Sequence, residues 1–360
     1  MKPIMLTLFL GAWAASGQNI SIEDYEPKST LVVPQHQVER AKYPFIDVHN
    51  HQRGSRPELV DDLVKAMDAL NMRIMVNLSG GYGERLKANI AALKRRYPDR
   101  FVVFANIDFT SIDEPGYGTR AARQLEQDVG SGAQGLKIFK NFGMDLKDGK
   151  GQRIRVDDPR FDPVFEMCAR LKIPVLIHTG EPRALFDPMD RYNERWLELK
   201  LYPGRGRPPD RYPAFDALMA EQHNLFARHP KTTFIDAHLG WYGNDLGKLG
   251  RLLDKLPNVY TEVSAVVEEL GRQPRFARQW FERYQDRVMF GKDTWRPAEY
   301  RTYFRIFETA DEYFEHDRKY HGMWSVYGLD LSEEVLEKLY FRNALRVIPG
   351  LSTTGFRTGR

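Results

Sequence analysis

Short apolar runs alternate with amphipathic segments from residue 45 almost to the end of the chain. Eight runs are rich in β-branched and aromatic residues and too short for helices, so they predict strands. They are Phe45–Val48, Arg73–Leu78, Phe101–Ile107, Gly135–Phe139, Pro174–Ile177, Thr233–Ala237, Val259–Val263 and Val288–Gly291. Between them apolar residues recur at helical spacing, most clearly in Glu58–Leu70, Ala214–Arg228 and Asn244–Leu256. The repeated order of strand and helix predicts a (β/α)8 TIM barrel in the α/β class.

Two segments between the predicted elements are much longer than the rest. Glu181–Tyr212 follows the fifth strand and Trp295–Leu329 follows the eighth, and both are expected to be long loops. A long irregular segment at the catalytic end of a barrel is usually a lid or a substrate loop, and a surface excursion or an oligomer contact is the alternative. The last predicted element is a helix over Ser332–Val347, with Ser332 as its N-cap.

The first 17 residues have the pattern of an export signal. Lys2 precedes a short apolar run, Ile4–Trp13, and small residues allow cleavage after Ala14 or Gly17. An uncleaved anchor or a buried first helix is the alternative. We expect a signal peptide over residues 1–17, an N-terminal extension over 18–44, the barrel over 45–349 and a tail over 350–360. The expected protein is exported, periplasmic or secreted, and has no membrane contact once the signal is removed.

Composition narrows the classes of partner. The net charge is only +4 and the charged residues, 28% of the chain, are of mixed sign along it, so a nucleic-acid partner is not expected. Cys168 is the only cysteine, which excludes an intrachain disulfide. It lies in the apolar run Phe161–Leu171, where a buried core residue is more plausible than a nucleophile.

Side chains that bind metals follow four of the predicted strands. His49 and His51 end the first strand on one face, because alternate side chains of a strand share a face. His178 follows the fifth strand, His238 the sixth and Asp293 the eighth. The carboxyl ends of barrel strands meet at one mouth, so all five groups are expected to converge there. Imidazoles with a carboxylate suit Zn²⁺, Mn²⁺ or Fe²⁺.

These motifs resemble the amidohydrolase superfamily, and more closely its amidohydrolase-related branch, which includes aminocarboxymuconate-semialdehyde decarboxylase-like enzymes. The resemblance rests on Asp-Val-His-Asn-His at 47–51, on the later histidines and aspartate, and on Asn-Ala-Leu-Arg at 343–346. It implies one divalent metal ion, with Zn²⁺ expected before Mn²⁺ or Fe²⁺. The implied ligands are His49, His51, His178 and Asp293. Asp293 is also implied as a catalytic base, and His238 as the group that polarises the substrate or relays a proton.

Four further residues are candidates for substrate contact: Lys137, Glu181, Arg183 and Trp295. Lys137 lies on the fourth strand, where binuclear members of the superfamily carry a carbamylated lysine. A substrate or structural contact, with one metal, is the interpretation we favour. Glu181 either supports a ligand or anchors the long loop. The arginines of that loop would suit a carboxylate substrate; they are Arg183, Arg191, Arg195, Arg205, Arg207 and Arg211.

Three functions follow from these expectations. The export signal favours a secreted hydrolase that cleaves an amide or lactone bond, C–N or C–O, in a small molecule, because secreted enzymes commonly degrade imported material. A non-oxidative decarboxylase of a carboxylated substrate would use the same metal site and is the alternative. A barrel that binds a ligand without catalysis is the third, and the complete set of metal ligands argues against it. The substrate, and whether the chain forms a homodimer, stay open.

Overall fold

The computed structural model describes residues 19–52 and 57–356, so the predicted signal peptide lies outside the described residues. Two compact units are distinguished, residues 1–32 and residues 33–360. The described part of the first unit contains a turn over residues 22–24, where the hydroxyl of Ser21 donates to the carboxylate of Asp24 at 2.7 Å.

The second unit contains nine parallel strand segments among the described residues. They are β1 (Phe45–Asn50), β2 (Met72–Asn77), β3 (Phe101–Val103), β4 (Ala105–Asn106), β5 (Leu136–Ile138), β6 (Val175–Ile177), β7 (Phe234–Asp236), β8 (Val259–Glu262) and β9 (Val288–Met289). Only Phe104 separates β3 from β4, so these two are halves of one strand. The eight predicted strands are therefore confirmed.

Backbone hydrogen bonds join the strands into one ring. Regular pairing gives two sheets, β1-β2-β3 and β4 to β9 in sequence order. At the break between them, the Phe104 amide donates to Asn77 O at 3.0 Å and the Ala105 amide to Gly135 O at 2.8 Å. At the other end, the Val48 amide donates to Phe290 O at 2.9 Å. The last strand thus meets the first, as the predicted (β/α)8 barrel requires.

The helices in the described residues surround these strands. They are α1 (Pro57–Leu70), α2 (Gly83–Lys94), α3 (Tyr117–Gly130), α4 (Asn141–Met144), α5 (Asp162–Leu171), α6 (Trp196–Leu201), α7 (Phe215–Arg228), α8 (Leu246–Lys255), α9 (Val267–Gly271), α10 (Pro274–Tyr284), α11 (Pro297–Glu308), α12 (Glu333–Glu337) and α13 (Asn343–Val347). A π-helical segment, Lys338–Arg342, links α12 to α13, and the Ser332 hydroxyl caps α12 by accepting from the Val335 amide. The predicted closing helix and its cap are confirmed. Within the described residues, none of the helices combines the length and the apolar character that crossing a membrane requires.

The segment after the last strand differs from the expected long loop. It begins with the twelve-residue helix α11, so only the part beyond residue 308 is an excursion. The reason is an apolar helical stripe that we had not recognised: Tyr300, Tyr303, Phe304 and Phe307 are all buried. The Phe304 ring packs edge-on against Phe45, with centroids 5.4 Å apart. The long segment after β6 does contain little regular structure, chiefly α6 and two 3-10 turns.

Cys168 lies on α5 and is fully buried. Burial raises the pKa of its thiol far above the ordinary value, so the thiolate is not formed at neutral pH. Cys168 is a core residue, as the sequence predicts.

Candidate metal centre

Three predicted ligands meet at the carboxyl ends of β1 and β9. The Nε2 atoms of His49 and His51 lie 3.6 Å and 3.4 Å from Oδ1 of Asp293. The Asp293 amide donates to His49 O, and the residue has a left-handed φ of 76°. Non-glycine residues adopt that conformation rarely and mostly where the surrounding structure enforces it. The backbone of Asp293 is thus held so that its carboxylate reaches the two imidazoles.

Hydrogen bonds on the far side of the rings determine which nitrogens are bare. His49 Nδ1 lies 2.9 Å from Oε1 of Glu262 and donates to it, because an ionised carboxylate can only accept. His49 Nε2 then carries a lone pair, and it lies 3.6 Å from Asp293 Oδ1 and 3.5 Å from Lys137 Nζ. His51 Nδ1 lies 2.8 Å from the Ser79 hydroxyl, a group that can either donate or accept. Donor atoms of a tetrahedral zinc site with bonds of about 2.1 Å lie roughly 3.4 Å apart, which is the spacing observed here.

The other two histidines continue the cluster. His238 Nδ1 lies 2.8 Å from the carbonyl oxygen of Ser264 and therefore carries the proton. Its Nε2 accepts from His178 Nδ1 at 3.3 Å. His178 Nε2 is then unprotonated, and it is a buried atom with no hydrogen-bond partner among the described residues. Buried polar atoms normally have a hydrogen-bond partner, and a buried ring nitrogen without one is typical of a histidine that binds a metal ion.

The charges of the cluster suit a divalent cation. Burial, then the neighbouring Lys137, lowers the pKa of His49 to about 3. Burial also holds the pKa of His178 well below its ordinary value, with His238 adding to the effect. Burial alone would raise the pKa of Asp293, but His51, His49 and His238 together bring it well below the ordinary value. Neutral imidazoles and an ionised carboxylate are the forms that bind metals, so these residues fit such an ion.

The turn that carries His238 is strained. Residues 238, 239, 240 and 241 all have left-handed φ values, between 53° and 59°. Such a run is costly for non-glycine residues and is typical of functional sites. It brings the Trp241 ring to stack on His238, with centroids 4.4 Å apart and planes 23° apart. His238 is fully buried, with the Trp241 ring stacked on it.

Lys137 belongs to the cluster. It lies on β5, is buried, and its Nζ is 3.5 Å from His49 Nε2. In the described part of the chain, no carboxylate lies within ion-pair distance, 4.0 Å, of this Nζ. Burial lowers the pKa of Lys137 to about 7. The amine is therefore close to the predicted ligands but forms no ion pair among the described residues; Asp293 and Glu262, which lie farther away, only partly offset the effect of burial on its pKa.

The other candidates for substrate contact lie elsewhere. Glu181 accepts from Lys140 at 2.6 Å and from Arg207 at 2.7 Å, so it anchors the loop after β6. Arg183 is largely exposed and pairs with Asp216 at 3.3 Å. Trp295 packs against the ring of Tyr300, with centroids 5.5 Å apart.

Several arginines of the loop after β6 form ion pairs with glutamates of the same chain. Arg195 is buried and pairs with Glu198 at 3.1 Å, Glu269 at 2.5 Å and Glu268 at 3.4 Å. Arg205 also pairs with Glu198, at 2.8 Å. A guanidinium whose donors already bind carboxylates has little capacity left for a substrate carboxylate. Arg195, and the Arg207 that binds Glu181, are thus engaged within the fold, which counts against a role for these two in binding the substrate.

Glu262 and Ser264 are parts of the site that we did not predict. They stand at the carboxyl end of β8, two residues apart, as His49 and His51 do on β1. Both residues lie at the end of the seventh predicted strand, Val259–Val263. The position of polar residues at strand ends, which indicated the histidines, therefore also indicates Glu262 and Ser264.

Comparison with known proteins agrees with the barrel. A family model described as Amidohydrolase matches residues 46–350. No curated protein matches the chain. Among solved structures, a TIM-barrel protein from Bordetella bronchiseptica matches with a TM-score of 0.51 and 16% identity, covering 84% of this chain and 97% of that one.

Two further solved structures are named as decarboxylases. 2,6-Dihydroxybenzoate decarboxylase, in complex with 2,6-dihydroxybenzoate, has a TM-score of 0.53 at 16% identity and covers 85% of this chain and 99% of that one. 5-Carboxyvanillate decarboxylase from Novosphingobium aromaticivorans, in complex with manganese and a nitrobenzoic acid, has a TM-score of 0.50 at 16% identity, covering 87% and 99%. At such identities these matches show a shared fold.

Proposed function

Because the chain belongs to the amidohydrolase family, we propose that it is an exported, metal-dependent hydrolase that cleaves an amide or lactone type bond, C–N or C–O. One divalent ion, Zn²⁺ in the first instance, would be held by His49, His51, His178 and Asp293. Bound there, the ion would lower the pKa of a coordinated water toward ~7 and so supply hydroxide at neutral pH.

The observation that carries this proposal is the exposure of the cluster. Asp293 and His51 keep 30% and 20% of their side-chain surface exposed, whereas His49 is fully buried. A small molecule entering the mouth would meet the ionised Asp293 carboxylate first. That carboxylate would take a proton from water and pass it to a leaving group. His238, whose Nε2 is bare and contacts His178, would relay a proton.

Lys137 supports a carboxylated substrate. Its amine lies beside His49 without a carboxylate partner among the described residues, and an anionic group of the substrate would supply one. This role needs a free amine and a single metal, as the sequence led us to expect, rather than a carbamate that bridges two.

A decarboxylase is the second candidate. The two similar structures named as decarboxylases, one holding manganese and both holding a benzoate-type acid, favour it, and an unpaired Lys137 would serve it equally well. In that reaction the carboxylate of the substrate leaves as CO₂ and no water is consumed.

An isotope experiment separates the two reactions. The metal-loaded protein is assayed against panels of lactones, amides and aromatic carboxylic acids in H₂¹⁸O, with mass spectrometry of the products and detection of CO₂. We expect one ¹⁸O atom in the product carboxylate and no CO₂. Release of CO₂, with no ¹⁸O in the organic product, would show that the reaction is decarboxylation and not hydrolysis. Metal binding with no turnover of any panel would favour a ligand-binding barrel.

Export is tested separately. The apolar run Ile4–Trp13, followed by small residues, leads us to propose cleavage that leaves a mature chain starting near Ala15 or Gln18. N-terminal sequencing of protein from the native host should give that start. An intact Met1 in a cytoplasmic fraction would contradict export.

A further inference from the structure

The Glu262 carboxylate is a hub of hydrogen bonds beneath the candidate metal centre. It is fully buried at the end of β8. Its Oε1 accepts from His49 Nδ1 at 2.9 Å, from the His238 amide at 2.8 Å and from the Ser264 hydroxyl at 2.8 Å. Its Oε2 accepts from the Ser264 amide at 2.6 Å. Four donors therefore converge on one carboxylate.

These contacts distinguish Glu262 from a metal ligand. Its nearest oxygen lies within 4.8 Å of ligand atoms of both His49 and His238, so proximity alone would allow it to share an ion with them. Oε1 already accepts from three donors and Oε2 from the Ser264 amide, so most of the roughly four lone-pair positions of the carboxylate are taken up within the protein. The side of His49 that Glu262 contacts is Nδ1, while the bare Nε2 lies 3.6 Å from Asp293 Oδ1. Glu262 therefore contacts the Nδ1 side of the His49 ring, opposite to the Nε2 atom that would bind an ion.

The neighbouring strand leaves room for this arrangement. Gly291 follows β9, and a Cβ atom built on it would lie 2.4 Å from Oε2 of Glu262 and 2.9 Å from Cβ of His49. Side chains do not approach so closely, so any larger residue would displace the carboxylate or the histidine. The absence of a side chain at Gly291 is thus a second, independent feature of the same site.

We propose that Glu262 is the positioning residue of the centre, acting on both functional histidines. It fixes His49 in the tautomer with a proton on Nδ1 and a bare Nε2. It fixes His238 through the backbone amide and through Ser264, whose hydroxyl and carbonyl contact His238 Nδ1, each at 2.8 Å. The role rests on the proposed metal-dependent function and adds to it the group that couples the ligand His49 to the relay His238.

The isosteric change Glu262→Gln tests this role. An amide has one accepting oxygen and one donating nitrogen, so one of its ends must place N–H against N–H: either against Ser264 at Oε2 or against the three donors at Oε1. The shape is preserved, while both orientations of the amide lose the negative charge that favours a proton on His49 Nδ1. Loss of a carboxylate behind a metal-bound histidine typically weakens metal binding by ~10–100-fold.

The experiment measures Zn²⁺ affinity by chelator competition, starting from metal-free protein. Wild type, Glu262→Gln and Ser264→Ala are compared with Glu221→Gln, a buried carboxylate that binds Arg153 on another part of the fold. We expect Glu262→Gln to bind Zn²⁺ ~10–100-fold more weakly and Ser264→Ala roughly 3–10-fold more weakly. Glu221→Gln should lower the Tm but leave the affinity unchanged.

A second readout does not depend on metal. Long-range ¹H–¹⁵N spectra of the metal-free protein, with His49 assigned from its loss in His49→Gln, report which ring nitrogen is protonated. Wild type should show Nδ1 protonated, and Glu262→Gln a mixture of tautomers. If Glu262→Gln does not fold, Ser264→Ala provides both readouts.

The outcomes separate this inference from the proposed function. Wild-type affinity and an unchanged His49 tautomer in Glu262→Gln would overturn the positioning role and leave the metal site standing. A wild-type protein that binds no Zn²⁺ or Mn²⁺ would overturn the proposed function, and the tautomer spectra would still decide the role of Glu262.

Discussion

Replacing Gly291 with alanine should damage the candidate centre although none of its polar side chains is replaced. The added Cβ would lie 2.4 Å from Glu262 Oε2, whereas an ordinary contact needs about 3.4 Å or more. The carboxylate must therefore retreat by about 1 Å, the difference between those distances, or His49 must move instead. Gly291 does not have a left-handed φ, so the backbone itself accepts alanine and the effect comes from the contact.

The size of the effect follows from this displacement. Forcing one methyl group into a packed interior costs about 1–3 kcal/mol of unfolding free energy. A shift of about 1 Å in a catalytic arrangement can cost ~10²-fold in rate, and a disturbed carboxylate–histidine pair ~10–100-fold in metal affinity. We expect Gly291→Ala to show a loss in all three quantities.

The assay combines urea unfolding of the metal-free protein, Zn²⁺ competition, and kinetics on whichever substrate the panel identifies. Gly130→Ala is the matched control, because a Cβ at Gly130, the last residue of α3, would meet no atom within 4 Å. That variant should be unchanged or slightly more stable, by up to about 1 kcal/mol. If Gly291→Ala unfolds and binds Zn²⁺ like Gly130→Ala, the close packing of Gly291 on Glu262 is refuted.

The other predictions concern the histidines, the lysine and pH. His238→Ala should keep its metal and lose ~10²–10⁴-fold in kcat, as metal analysis alongside kinetics would show; a metal-free variant, or one as active as wild type, contradicts the relay role. His178→Ala should lose metal and activity together, and a variant that keeps its metal excludes His178 as a ligand. Lys137 should be a free amine with one ion per chain, so two ions bridged by a carbamate in a crystal structure would show the opposite. The pKa of His49 is lowered to about 3 and that of Glu262 to about 2, so at these positions the unfolded chain binds more protons below pH 6.5. These two groups should therefore lower the stability of the metal-free protein as the pH falls from 6.5 toward 3, whereas the raised pKa values of the buried Asp47 and Glu269 act in the opposite sense. A pH dependence of urea unfolding over that range that is the same in wild type and in His49→Gln contradicts the assignment.

The sequence predicted the barrel well because its strands are buried on both faces. Fully buried parallel strands are short continuous apolar runs, and such runs stand out between polar loops. The same property placed His49, His51 and Asp293 correctly at one mouth, since each follows such a run. Helix α11 was not predicted, because it lies in a segment whose sequence looked irregular. Its aromatic residue Phe304 packs on Phe45 and Phe290.

Long-range pairing was the part that the sequence could not provide. In the sequence the loop arginines look available to bind a substrate. In the structure Arg195 binds Glu268 and Glu269, which are more than seventy residues away along the chain. Glu262 was overlooked because its partner His49 is 213 residues distant. The role of a charged residue depends on the group with which it pairs. That partner becomes known only when the fold brings distant parts of the chain together.

The most direct test of the account is the position of the metal in a crystal structure of the Zn²⁺-loaded protein, located by anomalous scattering at the zinc edge. We expect one peak per chain, with Nε2 of His49, Nε2 of His51, a ring nitrogen of His178 and Oδ1 of Asp293 each ~2.0–2.2 Å away. A peak coordinated by Glu262, or no peak among these side chains, would contradict the proposed centre.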